Sequence, residues 1–478
     1  MITSALFTDF YELTMAQGFW KKNKNTPSVF DMFFRRQPFN GGFSILAGTE
    51  PLLNAIAEFR FSESDIRYLQ SLGIFAEDFL DFLRGFRFSG DIWTMEEGSV
   101  VFPNEPLLRI HGSVVECALL EGIVLNTINF QSLIATKTAR IWLAAKKGPI
   151  MEFGLRRAQG CDGAMSATRA AYIGGAAGTS NTLAGKEFGI PVMGTIAHSW
   201  VMSFPDEETA FDAYAEIYPG NTCFLLDTYD TLESGIKAAI AAGKRLVPRG
   251  YNFSVRLDSG DIQYLSTKVR EELDKAGFPE AKITVSNELT EEIIESLVNN
   301  HAPIDSWGVG THMVTGGNES SFTGVYKLAA RTGGTDGALV PAMKFSDNPE
   351  KTTNPGIKQV WRLYNADGTF KADILAEENE HIVPGEMRKY FHPANDWKSF
   401  SFSAARTEPL LRRKMRNGSR CEAEKTIDES RAHMEASLDR LDGSYKRILN
   451  PHIYKVSLTE QLRQEKLDFL RSKRRNKP

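Results

Sequence analysis

Apolar positions recur at helical spacing over residues 9–20, which predicts an opening helix. Residues 29–36 and 43–47 are short apolar runs separated by Asn40-Gly41-Gly42, the pattern of two strands and a turn. Ser62 followed by Asp65 forms a capping box for a helix reaching Ser71. Residues 75–83 read as a further helix whose aromatic spacing suits a core face. Strands are expected at 86–93 and 107–111, then a long helix over 114–146 with Asn126 and Asn129 as polar interruptions.

Beyond Pro149 the texture changes. Short apolar runs at 150–153, 192–195, 223–226, 253–257, 283–285, 304–308 and 325–328 alternate with helical passages at 162–172, 181–188, 207–217, 231–242, 259–276 and 291–299. Such alternation with short loops predicts an α/β barrel or a doubly wound sheet, with functional residues at the carboxyl ends of the strands. Residues 345–356 are polar with two prolines, 357–375 resemble a hairpin, and the chain from Glu408 onward reads as charged and mainly helical. The expected organisation is an α/β N-terminal domain over 1–145, a barrel over 146–340, and a C-terminal region over 341–478 that completes the first domain and packs around the barrel.

Composition narrows the class without naming a chemistry. Hydrophobic residues at 42% of 478 positions supply cores for two or three domains, or for one large barrel with an appended domain, and exclude a disordered or fibrous chain. Cys117, Cys161, Cys223 and Cys421 form no CxxC pair and, with eight scattered histidines, no zinc spacing, so a reduced cytosolic protein is expected. Asp9 and Glu12 interrupt the apolar N-terminus, which is not the pattern of a signal peptide, and no stretch approaches 18 uninterrupted apolar residues. The formal charge is -4, but five basic residues and no acid lie in the last eight positions, leaving 51 basic against 60 acidic residues elsewhere, or -9. An acidic body gives no support to nucleic-acid binding, and the basic tip reads as a solvated end.

The polar residues at the strand ends carry the candidate chemistry. His198 follows Thr195-Ile196-Ala197 just past an expected strand and suits a base, a metal ligand or a nucleophile toward phosphorus. Val255-Arg256-Leu257-Asp258-Ser259-Gly260-Asp261 ends a strand with an arginine for an anionic substrate and two carboxylates for ribose hydroxyls or Mg²⁺; Ser259 or Asp261 equally suits a helix cap. Gly308-Val309-Gly310-Thr311 can close backbone N–H groups around phosphate, and a tight turn without ligand has the same pattern. Adjacent Arg156 and Arg157, read as extended chain, should point in opposite directions. Thr179-Ser180-Asn181 suits a helix cap, Asp227 a substrate or metal contact, and Lys327 an added positive charge. Neither a GxxxxGK[ST] loop nor a GxGxxG after a strand is present, nor HExxH or GxSxG. The residues by themselves describe an α/β enzyme for an anionic, phosphorylated substrate.

Six motifs together resemble the nicotinate phosphoribosyltransferase family. They are Thr8-Asp9-Phe10-Tyr11-Glu12-Leu13-Thr14-Met15, Glu152-Phe153-Gly154-Leu155-Arg156-Arg157-Ala158-Gln159-Gly160, Gly178-Thr179-Ser180-Asn181, Gly194-Thr195-Ile196-Ala197-His198-Ser199, Arg256-Leu257-Asp258-Ser259-Gly260-Asp261, and Gly308-Val309-Gly310-Thr311. They span most of residues 8–330 in order. The resemblance implies transfer of a phosphoribosyl group from 5-phosphoribosyl 1-diphosphate to nicotinate, coupled to ATP hydrolysis through a phosphohistidine at His198. It also implies Mg²⁺, whose direct ligands it leaves unknown. Tyr11, Thr195 and Arg256 match nicotinate-binding positions, Thr311 a phosphoribosyl contact with Gly310 beside it, and Arg156 the family's active-site arginine motif. Asp258 and Asp261 become candidates for ribose or metal-water contacts. The implied fold is an N-terminal α/β domain plus an irregular α/β barrel of the type II phosphoribosyltransferase kind with a C-terminal extension. The implied assembly is a cytoplasmic homodimer that binds neither nucleic acid nor membrane.

Overall fold

The helical spacing at the start of the chain forms the helix Phe10–Lys21, with Asp9 at its N-cap. The computed structural model describes residues 4–333, 337–344, 352–395 and 397–475, with side chains to 472. The charged end of the basic tip and most of the polar, proline-bearing stretch 345–356 lie outside the described residues. The chain divides into two compact units, Met1–Leu133 with Ser321–Pro478, and Ile134–Ser320.

Among the described residues unit 1 carries two large sheets and a two-stranded one, Ser44–Ile45 with Val100–Val101. The seven-stranded sheet runs, in spatial order, Leu339–Pro341, Gly324–Thr332, Pro27–Phe34, Leu108–Ser113, Asp91–Thr94, Arg412–Arg416 and Ser419–Arg420. Pro27–Phe34 lies centrally, with Met32 opposite Leu108 on one side and Tyr326 on the other. Met32, Phe34, Ile92 and Ile110 pack with Leu53, Ile56, Phe79 and Leu119 from the surrounding helices. Helix Glu63–Ser71 opens with the expected capping box, Ser62 and Asp65 each accepting the other's backbone N–H. The hairpin of Lys358–Tyr364 and Phe370–Glu377 sits in the second, six-stranded sheet.

Unit 2 is an open, wholly parallel sheet of six strands alternating with helices, a half-barrel. The order is Gly178–Thr179, Ile150–Glu152, Ser306–Val309, Lys282–Val285, Phe253–Leu257 and Thr222–Leu225. Because every pairing is parallel, all six carboxyl ends lie along one edge and their loops form one rim.

Three expectations are corrected. Residues 192–195 form no strand: only Val192 bridges Thr179, because the neighbouring strand ends at Thr179 and turns into the Asn181-capped helix Thr182–Phe188, leaving no further partner. Residues 325–328 are a strand, but within Gly324–Thr332 of the unit 1 sheet, antiparallel to Pro27–Phe34. The chain after Glu408 first forms strands, Arg412–Arg416 pairing with Asp91–Thr94, and becomes helical only at Ile427–Arg440. Lys414, within the stretch that reads as charged and mainly helical, is instead buried between Glu96 and Glu422.

The long helix is Val114–Ala144, and by length and composition it is apolar enough to cross a membrane. Two-thirds of its most apolar window is buried inside the protein, as in a core helix. Its second half carries Lys137 and Arg140, both clamped on the buried carboxylate of Glu291, the Arg140 contact at 2.9 Å. All four cysteines are free thiols.

Candidate active site

A cavity of about 490 Å³ opens at the rim of unit 2, lined by residues at or just past the carboxyl ends of the parallel strands. The turn after Ile150–Glu152 is built first by Glu152 itself. Its buried carboxylate accepts the Gly154 N–H, the Thr168 hydroxyl at 3.0 Å and the Thr179 hydroxyl at 2.5 Å, tying that turn to the neighbouring strand and helix. At Gly154 a Cβ would collide with Val314, so only glycine allows this close approach. The chain then leaves the extended conformation, and Arg156 and Arg157 both line the cavity. The expected opposite orientation fails because strand alternation no longer applies.

Strand Phe253–Leu257 delivers Arg256 to the cavity floor. Its Nε donates to Ser286 Oγ at 2.9 Å, Nη1 to Thr195 Oγ1 at 3.0 Å and Nη2 to Asp258 Oδ1 at 2.8 Å, while Phe153 lies 5.7 Å from the guanidinium carbon. Burial alone would push the Asp258 carboxyl up, but the Ser286 hydroxyl and the Arg256 guanidinium outweigh it and hold it below the usual carboxylate range. Asp258 Oδ2 stands 3.8 Å from His198 Nε2. The other ring nitrogen, Nδ1, lies 3.1 Å from Thr228 Oγ1, so the imidazole is held from both sides. His198 begins the short helix His198–Met202. Asp227 fixes the loop from below, its Oδ2 accepting the Asp258 N–H at 3.1 Å and the Ser259 hydroxyl at 2.5 Å.

The cavity thus brings together His198, Arg256, Asp258, Arg156, Thr195, Gly310 and Thr311. Asp261 does not line it: its carboxylate caps helix Ile262–Lys275 by accepting the Tyr264 N–H at 3.0 Å. Asn181 likewise caps Thr182–Phe188, as its local pattern suggested. Tyr11 belongs to unit 1, on the first turn of Phe10–Lys21, and so does Lys327, which lies 4.0 Å from Glu121.

Sequence reasoning missed Ser286, Asn287 and Glu288, which follow strand Lys282–Val285 and line the same cavity. Asn287 has φ 107°, a conformation costly for a residue with a Cβ and typical of a loop held in a fixed shape at a working site. Glu288 accepts from Thr311 Oγ1 at 3.4 Å and meets His312 Nε2 at 3.2 Å. The available signal was the polar Ser-Asn-Glu run directly after an apolar strand.

Among the described residues no cluster of three or more His, Cys, Asp or Glu side chains could hold a metal. Asp227 Oδ1 is nevertheless buried and in no hydrogen bond, beside the Asp258 loop. An unpartnered carboxylate oxygen of this kind is a donor that Mg²⁺ accepts, since Mg²⁺ takes one or two carboxylates and completes its shell with phosphate and water.

Three family models cover the chain in sequence. The nicotinate phosphoribosyltransferase N-terminal domain matches residues 6–129, the nicotinate phosphoribosyltransferase family 149–372, and the corresponding C-terminal domain 357–466. The chain belongs to the nicotinate phosphoribosyltransferase family. It is therefore a member of an enzyme family. The nicotinate phosphoribosyltransferase of Bacillus subtilis (strain 168) is 40% identical over 458 residues, 95% of this chain and 93% of the relative. Nicotinate phosphoribosyltransferase pncB2 of Mycobacterium tuberculosis is 43% identical over 382 residues, 80% of each chain. The crystal structure of human nicotinic acid phosphoribosyltransferase superposes with a TM-score of 0.84 at 30% identity, covering 96% of this chain and 99% of the human one. Nicotinate-nucleotide pyrophosphorylase from Pyrococcus furiosus shares the fold, with a TM-score of 0.71 at 24% identity.

Proposed function

We propose that this protein is an ATP-dependent nicotinate phosphoribosyltransferase. It joins nicotinate to C1 of 5-phosphoribosyl 1-diphosphate, giving nicotinate mononucleotide and diphosphate, and so opens the route from nicotinate to NAD. The observation that carries the reading is the Arg256 fork, fixed by Ser286, Thr195 and Asp258 next to His198. A planar carboxylate is the anion such a fork selects, by charge and by geometry, over a neutral amide. Arg256 has an Nη2–H to spare, and its Nη1 contact to Ile196 O is long at 3.5 Å, so the donors nicotinate needs are at hand.

The pyridine nitrogen supplies the electron pair that forms the bond to ribose C1, and the C1–O bond breaks with its pair on diphosphate. No proton moves, so the chain needs no strong base. Arg156, Arg157 and the backbone around Gly310 and Thr311 face the cavity as groups for the phosphates. Mg²⁺, held by Asp258 and Asp227, would neutralise developing charge on the leaving diphosphate. His198 takes the γ-phosphoryl of ATP, forming an N–P bond as the bond to ADP breaks, and water later releases phosphate. The added negative charge then acts on the Asp258 loop it faces. Tyr11 is read as a ring that stacks on nicotinate. Assignment of the half-barrel to the type II phosphoribosyltransferase kind, a homodimer and a cytoplasmic setting complete the proposal, the last supported by the free thiols.

The test is phosphate transfer and product formation in one preparation. With γ-³²P-labelled ATP the wild-type protein becomes labelled and His198→Ala does not. ATP stimulates mononucleotide formation from nicotinate in the wild type and leaves the variant unstimulated. Product from nicotinamide with none from nicotinate would overturn the substrate assignment.

A further inference from the structure

Tyr11, on helix Phe10–Lys21, is an expected nicotinate-binding side chain, and its surroundings are built for holding it. It is 49% exposed, so its aromatic ring is presented outward. Its phenol donates to Glu121 Oε1 at 3.4 Å, long for an O–H···O bond. Glu121 comes from helix Val114–Ala144, is itself only 17% exposed, and has Lys327 Nζ at 4.0 Å from strand Gly324–Thr332. Glu12 is buried beside them, its carboxyl close enough to act on both Tyr11 and Glu121.

The next residue, Gly122, makes the approach possible. A Cβ there would lie 3.1 Å from Thr8 Cα and 3.3 Å from Phe7 O, so the segment leading into Tyr11 rests directly on the long helix. Adjacent residues therefore do complementary jobs: Gly122 admits the backbone and Glu121 meets the phenol.

We propose that Glu121 is a positioning residue for Tyr11, its carboxylate fixing the phenol so that the ring meets the pyridine of nicotinate in one orientation. This rests on the reading of Tyr11 as a nicotinate-binding residue. Glu121 touches no substrate; it acts by removing rotamer freedom that an exposed tyrosine would lose on binding. The effect belongs to nicotinate affinity, and neither the phosphoribosyl substrate nor phosphorylation of His198 depends on it.

The experiment measures kcat and the KM for each substrate in the wild type, Tyr11→Ala, Tyr11→Phe, Glu121→Gln, Glu121→Asp and the Tyr11→Phe/Glu121→Gln double variant. Glu121→Gln is expected to raise the nicotinate KM by about 5–20-fold, within the range of coupled neighbours, leaving kcat and the phosphoribosyl diphosphate KM within about 2-fold. Tyr11→Phe should match it, the double variant should add nothing further, and Glu121→Asp should recover part of the affinity. Should Glu121→Gln fail to fold, Gly122→Ala, which pushes the Thr8 backbone away, is expected to show the same rise confined to nicotinate. An unchanged nicotinate KM in Tyr11→Ala removes the reading of Tyr11 and the proposal with it. A raised KM in Tyr11→Ala with none in Glu121→Gln, or additive effects in the double variant, leaves that reading standing and overturns the role of Glu121.

Discussion

In unit 2 the buried carboxylate of Glu291 lies between Lys137 and Arg140; in unit 1 the buried carboxyl of Glu12 lies against another carboxyl, Glu121. Burial pushes both groups up. For Glu291 the two cations outweigh burial and hold it below the usual range. For Glu12 burial, joined by the charge on Glu121, outweighs a hydrogen bond from Tyr11, and its pKa is raised to about 7. Opposite charges make the first site a clamp that works only when complete. Like charges make the second a group that is half-titrated at neutral pH and costs stability whenever both carboxyls ionise. The Arg256–Asp258 pair follows the first pattern, with hydroxyls of Ser286 and Thr195 closing its geometry.

The largest effect that separates the two arrangements is expected from Glu291→Ala. It would take the shared carboxylate away from two buried cations, at a cost of about 3–5 kcal/mol in denaturant unfolding. A loss below about 1 kcal/mol would mean that the clamp relaxes as freely as a surface pair. Arg256→Lys keeps the charge but cannot reproduce three directed hydrogen bonds, and the nicotinate KM is expected to rise by about 100-fold. A rise of only about 3-fold in steady-state assays would assign Arg256 the role of a simple point charge.

The smallest effect is expected from Glu12→Gln, and its sign is opposite. The unfolded carboxyl titrates near 4.5 and the folded one near 7, so between these values the native state holds more protons. Stability therefore falls as pH rises from 4.5 to 7 and stays low above it. Glu12→Gln should remove this slope and gain on the order of 1–2 kcal/mol at pH 8 relative to its effect at pH 5. Parallel stability profiles for the two proteins across that interval would break the comparison.

What could be read in the sequence was whatever short-range chemistry decides. The Ser62–Asp65 capping box needs only four residues, and its helix begins at Glu63 as expected. Seven of the eight expected site residues within unit 2 line one cavity because polar residues after apolar runs fall on one rim once the strands are parallel. Asp261 shows the limit, since a carboxylate three residues past a strand serves the following helix as readily as a ligand. Ser286 gains its importance from the pairing of Lys282–Val285 beside Phe253–Leu257, which no local pattern encodes. Gly324–Thr332 was legible as a strand, but its partner lies about 300 residues earlier in the chain. Arg412–Arg416 was misread because local charge says solvent, whereas Lys414 finds its acids only after the sheet has formed.

The Lys137–Glu291 contact has a consequence for how the protein is made. The two residues are separated by 154 positions, which at about 5–20 residues per second is roughly 8–30 s of synthesis. Throughout that interval the long helix leaves the ribosome ahead of the carboxylate that will hold its second half in place. The half-barrel is therefore expected to close late, and nascent chains stopped before residue 291 should remain sensitive to protease within residues 134–290 when longer ones have become resistant.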